Sequence, residues 1–234
     1  MRALFVQHDH VSPAGPVGAA LAARGYDLEE LPVVPPERFH RPDVAADFPD
    51  PTRYDLVVPM GAPWSVYDEA AIGSWLRGEV EFLRRAHAAG VPVLGICFGG
   101  QALAVALGGQ VRRCVGVELG WTLIDSDDHA LVEPGPWFQW HRDRWLDPPG
   151  VASLARTPVA PQAFRAGRSL ALQFHPELTV SMLKGWLGNG GDDELRDLGL
   201  SGDVLLSRTR AEEREAVARA FRLVDRFLDR VAGG

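Results

Sequence analysis

Short apolar segments alternate with segments of helical periodicity through the first half of the chain, and this alternation constrains the fold more than any other feature. The apolar segments predict four strands, at residues 2–8, 26–31, 55–60 and 91–96. A predicted helix follows three of these strands, at residues 13–24, 70–89 and 98–107. Strands that alternate with helices form a parallel, doubly wound sheet, so the sequence predicts an α/β fold.

The second half of the chain has a different pattern. Between residues 110 and 176, short runs such as 111–117 and 121–125 are separated by turn residues, which predicts a mostly β region. We expect it partly to continue the main sheet and partly to form a smaller one. The pattern then becomes helical, and an apolar stripe marks a terminal helix: Val217, Phe221, Val224, Leu228 and Val231. Without repeats or a linker, residues 1–234 are expected to form a single domain.

Composition excludes several classes of protein. No run approaches the 18 or more apolar residues that a membrane span requires, and the first residues predict a strand rather than a signal peptide. The net charge of −7, without a basic run, argues against nucleic-acid binding. Two cysteines are too few for a disulfide framework, so we expect a reducing, cytoplasmic location.

Cys97 stands between a predicted buried strand and the start of a predicted helix, within Gly95-Ile96-Cys97-Phe98-Gly99. This is the cysteine form of a nucleophile elbow, in which flanking glycines permit a sharp turn that exposes the side chain. The helix N-terminus favours a thiolate, and the Phe98 amide, which has no partner within the helix, can stabilise an oxyanion. On its own, such a short motif is matched more often by a packed core cysteine than by a nucleophile.

A candidate base lies at the end of the last predicted strand, in Gln173-Phe174-His175-Pro176-Glu177. Residues two apart on extended backbone face the same way, so Glu177 can orient the imidazole of His175 and His175 can take the proton of a thiol. An ordinary surface histidine beside a turn is the simpler interpretation of this segment alone. Together with the elbow, the catalytic interpretation is favoured.

The two motifs closely resemble those of the class I (triad) glutamine amidotransferases, and most closely the free-standing subgroup similar to the amidotransferase part of GMP synthase. The resemblance covers nearly the whole chain. It also includes three further segments, at residues 61–68, 118–121 and 138–143. It implies a flavodoxin-like three-layer sandwich with a mostly parallel central sheet and a small additional sheet. No cofactor or metal is implied.

The resemblance implies a role for each site residue. Cys97 would attack the side-chain amide of glutamine, His175 would move the proton, Glu177 would orient His175, and ammonia and glutamate would be released. The oxyanion donors would be the amides of Ala62 and Phe98. The implied substrate contacts are Gly61, Gln101, Trp140 and His141.

Two positions depart from the family pattern. Ala62 stands where a second glycine is common, and its Cβ restricts rotation of the preceding peptide, so we expect an oxyanion hole that is either permanently set or badly formed. Gly100 stands where a histidine is common. Neither change removes a member of the triad.

Other polar and aromatic residues are given simpler interpretations. His8 and His10 could form a metal pair, but without further ligands we expect loop residues at the rim of the active-site face. His141 and Asp143 are interpreted as pocket wall and structural support, and Cys114 as an inert buried thiol. The tryptophans of this region are expected mostly in the core, although they could line a pocket: Trp137, Trp140 and Trp145.

Three functions remain open. The first is a glutamine-hydrolysing subunit that supplies ammonia to a separate synthetase. The second is an autonomous hydrolase of γ-glutamyl peptides or conjugates. The third, a catalytically weak regulatory subunit, is disfavoured by the complete triad.

Overall fold

Ten strands and six α-helices make up the computed structural model, which describes residues 1–233. The strands are β1 (Arg2–Gln7), β2 (Asp27–Pro32), β3 (Leu56–Pro59), β4 (Val93–Ile96), β5 (Gln110–Leu123), β6 (Asp125–Ser126), β7 (Pro136–Leu146), β8 (Ser153–Arg156), β9 (Pro161–Ala166) and β10 (Ser169–Leu172). The helices are α1 (Gly15–Ala23), α2 (Glu69–Ala88), α3 (Phe98–Ala106), α4 (Val180–Trp186), α5 (Asp192–Asp197) and α6 (Gly202–Phe227).

The main sheet has eight strands in the order β2-β1-β3-β4-β10-β9-β8-β6. The pairs from β2 to β10 are parallel, and the pairs from β10 to β6 are antiparallel. The sheet is therefore mostly parallel, as predicted, and its antiparallel extension comes from the β-rich second half. The hairpin between β9 and β10 pairs Ala166 with Ser169, so its two turn residues are Gly167 and Arg168.

Helices cover both faces of the sheet, which confirms the three-layer arrangement. Along β1, Ala3 and Phe5 join the core beneath α1 and α6, whereas Leu4 and Val6 join the core beneath α2 and α3. Because side chains alternate between faces along a strand, a strand buried on both faces needs an unbroken apolar run. That requirement explains why the strand signals are short continuous runs.

Helix α2 begins and ends within one residue of the helix predicted at residues 70–89, whereas α6 begins well before the apolar stripe predicted for the terminal helix. Asp68 caps α2 by accepting a hydrogen bond from the Ala71 amide at 3.2 Å, and Ser201 does the same for Val204 at the start of α6. The apolar stripe of α6 continues into the wider turn Leu228–Ala232 that follows it. Among residues 1–233, no helix has both the length and the hydrophobicity to span a membrane.

The second sheet is a long antiparallel pair, β5 and β7. The separate runs predicted at residues 111–117 and 121–125 are one strand of 14 residues, which is a correction. The turn-like residues between the two runs, 118–120, pair in regular register with β7, and the pairing register shifts instead within the first run, between Arg113 and Glu118. This sheet stands beside the carboxyl end of β10, where the His175 amide donates to the Phe138 carbonyl at 2.9 Å.

Candidate active site

Cys97 lies at a strained point of the backbone between β4 and α3. Its φ and ψ are 50° and −107°, and it is the one non-glycine residue among positions 1–233 with a positive φ. Such conformations cost roughly 1–3 kcal/mol and persist where the surrounding packing imposes them. The predicted elbow is therefore present in the backbone.

Three glycines allow the elbow to pack against its neighbours. A Cβ on Gly99 would lie 2.0 Å from the Pro59 carbonyl oxygen, and one on Gly100 would lie 2.7 Å from the Leu172 carbonyl oxygen. A Cβ on Gly95 would lie 2.8 Å from the Gly99 carbonyl oxygen. Real Cβ atoms do not approach backbone oxygens so closely, so α3 can contact β3 and β10 only because these side chains are absent.

His175 and Glu177 project together, as the spacing predicts. The Nδ1 atom of His175 lies 2.8 Å from Oε1 of Glu177, and both side chains are buried. The Nε2 atom of His175 has no hydrogen-bond partner among residues 1–233. Because Nδ1–H donates to the carboxylate, Nε2 is the nitrogen available for proton transfer with Cys97, which lines the same cavity.

The electrostatic setting of His175 favours its charged form. Burial opposes the imidazolium, but the Glu177 carboxylate and the nearby Cys97 sulfur outweigh this effect and raise the pKa of His175 to about 10. The imidazole of His175 is therefore expected to be protonated near neutral pH.

Gly61 and Ala62 line the cavity beside the elbow. A Cβ on Gly61 would lie 3.0 Å from Cε1 of His175 and 3.8 Å from Cβ of Cys97, so only glycine lets the loop after β3 approach both residues so closely. The Gly61 carbonyl oxygen lies 3.2 Å from Nδ1 of His8. In a trans peptide the carbonyl and the following N–H point in opposite directions, so the Ala62 amide points away from His8.

A chain of amides connects the elbow to the second sheet. The Nε2 atom of Gln173 lies 3.6 Å from the Cys97 sulfur and can donate to it. The Nε2 atom of Gln101 donates to Oε1 of Gln173 at 3.1 Å and to the Asp143 carbonyl oxygen at 3.2 Å. Both amide protons of Gln101 are thus engaged by the protein, so its contact with a ligand would use the amide oxygen.

Asp143 joins the loop after β3 to the second sheet. Its carboxylate accepts hydrogen bonds from Ser65 and from the Tyr67 hydroxyl, the latter at 2.7 Å. Its carbonyl oxygen lies 3.0 Å from Nδ1 of His141, whose Nε2 lies 3.1 Å from Glu118. The expected roles of His141 and Asp143 as pocket wall and support agree with these positions.

The resulting cavity has a volume of about 580 Å³. Glu177 stands behind His175 and does not line the cavity. The other site residues expected from the sequence all line it: Gly61, Ala62, Cys97, Phe98, Gln101, Trp140, His141 and His175. Trp140 is joined there by Trp186, whose ring centre lies 4.9 Å from that of His175. Trp137 and Trp145 are instead in the core, as expected.

The expected positions of the first two histidines were half wrong. His10 is exposed, but His8 is completely buried behind the loop that follows β3, with Nε2 at 2.9 Å from Glu79. Because β1 ends at Gln7, the alternation of an extended strand does not continue through His8 and His10, and the two side chains lie in different environments. Within residues 1–233, no cluster of three or more His, Cys, Asp or Glu side chains could hold a metal ion.

Cys114 has no part in the cavity lining. It is half-buried on β5 rather than fully buried as expected, and burial raises the pKa of its thiol to about 11. The thiol is therefore protonated near neutral pH, which agrees with the expectation that it is inert.

Two residues near the site were missed by sequence reasoning. Glu79 falls on the apolar face of α2 with Ile72, Trp75 and Leu83, and an acid at such a position signals a buried partner. Gln173 precedes His175 by two residues, so the same alternation that pairs His175 with Glu177 places Gln173 on that side.

Comparisons with a family model and with individual proteins point to the same family. The model of the family "Glutamine amidotransferase class-I" matches residues 20–187. One of the subunits of the glutamine-hydrolysing GMP synthase of Saccharolobus solfataricus is 31% identical over 178 residues, covering 70% of this chain and 86% of that protein. The GMP synthase of Thermomicrobium roseum is 38% identical over 137 residues, which cover 54% of this chain and only 24% of the longer protein.

Solved structures show the same fold over almost the whole chain. A glutamine amidotransferase from Thermotoga maritima superposes with a TM-score of 0.82 at 25% identity, covering 98% of each chain. One from Methylobacillus flagellatus superposes with a TM-score of 0.83 at 21% identity, covering 97% of this chain and 94% of the other.

Proposed function

Because the chain belongs to the class-I glutamine amidotransferase family, we propose that it hydrolyses the side-chain amide of glutamine with Cys97 as nucleophile. The observation that carries the proposal is the arrangement of three side chains that follow the ends of two adjoining strands, β4 and β10. Cys97 is held at a strained elbow, His175 shares its cavity, and Glu177 binds the far nitrogen of His175 at 2.8 Å.

The reaction begins with attack by the Cys97 sulfur on the amide carbon. The carbonyl π electrons move to oxygen, and the resulting negative charge is stabilised by the amides of Phe98 and Ala62. The His175 imidazolium gives its Nε2 proton to the leaving nitrogen, and ammonia departs as the carbonyl re-forms. The product is a γ-glutamyl thioester on Cys97.

Hydrolysis of the thioester uses the same groups in reverse. His175 takes a proton from water, which attacks the thioester carbon, and the Cys97 thiolate leaves as glutamate forms. Throughout, Glu177 holds the ring by its Nδ1–H and stabilises the positive charge. The high pKa of His175, about 10, supports a protonated imidazole that is ready to give its proton to the leaving nitrogen.

The test is to measure glutamate and ammonia release from glutamine, together with labelling by a diazo-ketone analogue of glutamine. We expect equal amounts of the two products and one adduct per chain, located on Cys97 by mass spectrometry. Cys97→Ala should lower turnover by on the order of 10⁴–10⁶-fold and abolish labelling.

Cys114→Ser is the matched control, since it removes the other thiol without altering the cavity lining. It should keep both turnover and labelling. An adduct on Cys114, or turnover that survives in Cys97→Ala, would overturn the proposal.

The ammonia acceptor is proposed to be a separate chain, because the relative of similar length is itself one subunit of a glutamine-hydrolysing GMP synthase. One observation favours the second candidate, an autonomous γ-glutamyl hydrolase. The Gly61 carbonyl is already held by His8 in this isolated chain, so the Ala62 amide does not need a partner to orient it. A preset oxyanion hole would let the chain work alone.

Rates with glutamine and with γ-glutamyl dipeptides separate the two candidates. Steady release of glutamate from dipeptides by the isolated chain, faster than from glutamine, would support the autonomous hydrolase. Slow turnover of glutamine that a synthetase chain stimulates strongly would support the ammonia-supplying role. If the chain supplies ammonia to a synthetase, Ala62→Gly should alter the basal rate or the stimulation. No change in either would contradict the role given to Ala62.

A further inference from the structure

His8 and Glu79 form a buried pair directly behind the peptide that joins Gly61 to Ala62. His8 follows β1 and Glu79 lies on α2, and both side chains are fully excluded from solvent. The Nε2 atom of His8 lies 2.9 and 3.0 Å from the two carboxylate oxygens of Glu79. Burying such a pair carries a desolvation cost that well-packed apolar residues would avoid, so stability alone does not account for it.

The other ring nitrogen of His8 faces an acceptor as well. Its Nδ1 lies 3.2 Å from the Gly61 carbonyl oxygen, so the ring stands between two acceptors. If the proton of the pair is on His8, both ring nitrogens donate. If that proton is on Glu79, Nε2 accepts it and the neutral ring carries its hydrogen on Nδ1. A neutral ring with its hydrogen on Nε2 would instead leave the lone pair of Nδ1 facing the Gly61 carbonyl oxygen, so the arrangements that satisfy both contacts make Nδ1 a donor to Gly61.

The same ring contacts the second half of the proposed oxyanion hole. Its centre lies 4.8 Å from that of Phe98 in an edge-to-face contact and 5.6 Å from that of Trp75 in a stacked one. His8 is thus wedged between α2 and α3, with its position defined on both sides. It binds the peptide that carries one proposed oxyanion donor and packs against the residue that carries the other.

We infer that His8, oriented by Glu79, is a positioning residue that keeps the Ala62 amide turned toward the reacting carbonyl. The inference deepens the proposed function and rests on it. By holding the Gly61 carbonyl on its own side, His8 leaves the Ala62 N–H on the opposite side of the peptide. The donor is then in place before negative charge develops, which is the condition under which an oxyanion hole is effective.

The test compares two double variants. His8→Leu with Glu79→Leu removes the donor without leaving a buried unpaired charge. His8→Asn with Glu79→Gln restores a neutral donor, since an Asn side-chain amide can reach the position of Nδ1. His129→Asn, at an exposed histidine in a distant loop, is the matched control.

Three measurements separate positioning from simple structural support. In the leucine variant we expect kcat for glutamine to fall about 100-fold, as when one oxyanion donor is lost, with KM changed less than about threefold. Alkylation of Cys97 by iodoacetamide should stay within about twofold of wild type, because displacement of iodide creates no oxyanion. The asparagine variant should recover at least about tenfold in kcat.

Unchanged kcat in a folded leucine variant would overturn the inference, and so would parallel loss of kcat and alkylation without recovery by asparagine. If the leucine variant does not fold, a measurement on the wild type tests the inference instead. Its nitrogen NMR spectrum must show a protonated Nδ1 on His8 at neutral pH, and an unprotonated Nδ1 would refute the inference. A wild type inactive on every amide substrate would instead refute the proposed function itself.

Discussion

The two walls of the cavity are built by different physical means. The wall around Cys97 is held by close backbone packing, in which Gly99 touches β3 and Gly100 touches β10 with no room for a side chain. The wall formed with the second sheet is held by side-chain hydrogen bonds. At their centre, the Asp143 carboxylate accepts hydrogen bonds from the hydroxyls of Ser65 and Tyr67. Packing without voids allows one geometry, whereas a hydrogen-bond network can lose a member and rearrange.

The two walls differ in how precisely they must position their residues. The nucleophile must meet one carbon atom at bonding distance, and it sits on the wall that cannot rearrange. Residues expected to contact the rest of the substrate, such as Trp140 and His141, sit on the second sheet, where adjustment is possible. Substitutions on the two walls should therefore differ in the size of their effects.

The proposed catalytic pair, His175 and Glu177, lies where the two walls meet, and its members should contribute unequally. His175→Ala removes the base and should lower turnover by about 10⁵-fold or more, whereas Glu177→Gln should retain roughly 10–100 times more activity. The amide oxygen of glutamine can still accept from Nδ1–H but cannot stabilise the imidazolium. Steady-state kinetics on variants with native circular dichroism would measure this, and equal losses would contradict the separate roles.

A methyl group added to the packed wall should destabilise the whole fold. In Gly99→Ala the new Cβ would lie 2.0 Å from a backbone oxygen, so we expect the free energy of unfolding to fall by at least about 3 kcal/mol. Gly73→Ala is the control, because its Cβ would meet nothing closer than 3.5 Å within α2 and should stabilise by about 0.5–1 kcal/mol. Urea denaturation would measure the free energy of unfolding of both variants. Similar values would contradict the tight packing assigned to this wall.

The buried imidazole of His175, between the two walls, should make the free energy of unfolding depend on pH. The pKa of His175 is raised from 6.5 to about 10 on folding, so its stabilising contribution is complete below pH 6.5 and is lost as the pH rises toward 10. The free energy of unfolding of the wild type should therefore fall more steeply over this interval than that of His175→Asn. Parallel slopes in denaturation series would show that the charged imidazole contributes nothing.

The smallest effect is expected on the hydrogen-bonded wall. Tyr67→Phe removes one donor to Asp143 from a side chain that is 48% exposed, and Ser65 remains bound there. We expect a cost below about 1 kcal/mol in stability and a few-fold rise in KM with little change in kcat. A large fall in kcat would show that this wall is as rigid as the other.

Local sequence was sufficient to predict the parallel strands, the helices that follow them and the proposed residues of the triad. Short apolar runs reveal strands because both faces of the sheet are covered, and the glycines around Cys97 reveal the elbow because only glycine fits there. The two-residue spacing of His175 and Glu177 predicts their contact, since the partners are neighbours along one extended segment.

Tertiary structure alone decided the support of the site. His8 meets Glu79 from 71 positions away, Asp143 receives hydrogen bonds from a loop that precedes it by more than 70 residues, and two predicted runs join into β5. None of these has a periodicity or spacing that marks it, because each depends on how layers pack after they form. A sequence pattern records what a residue does with its near neighbours, whereas the partners of a buried polar group are chosen by the packing of the whole chain.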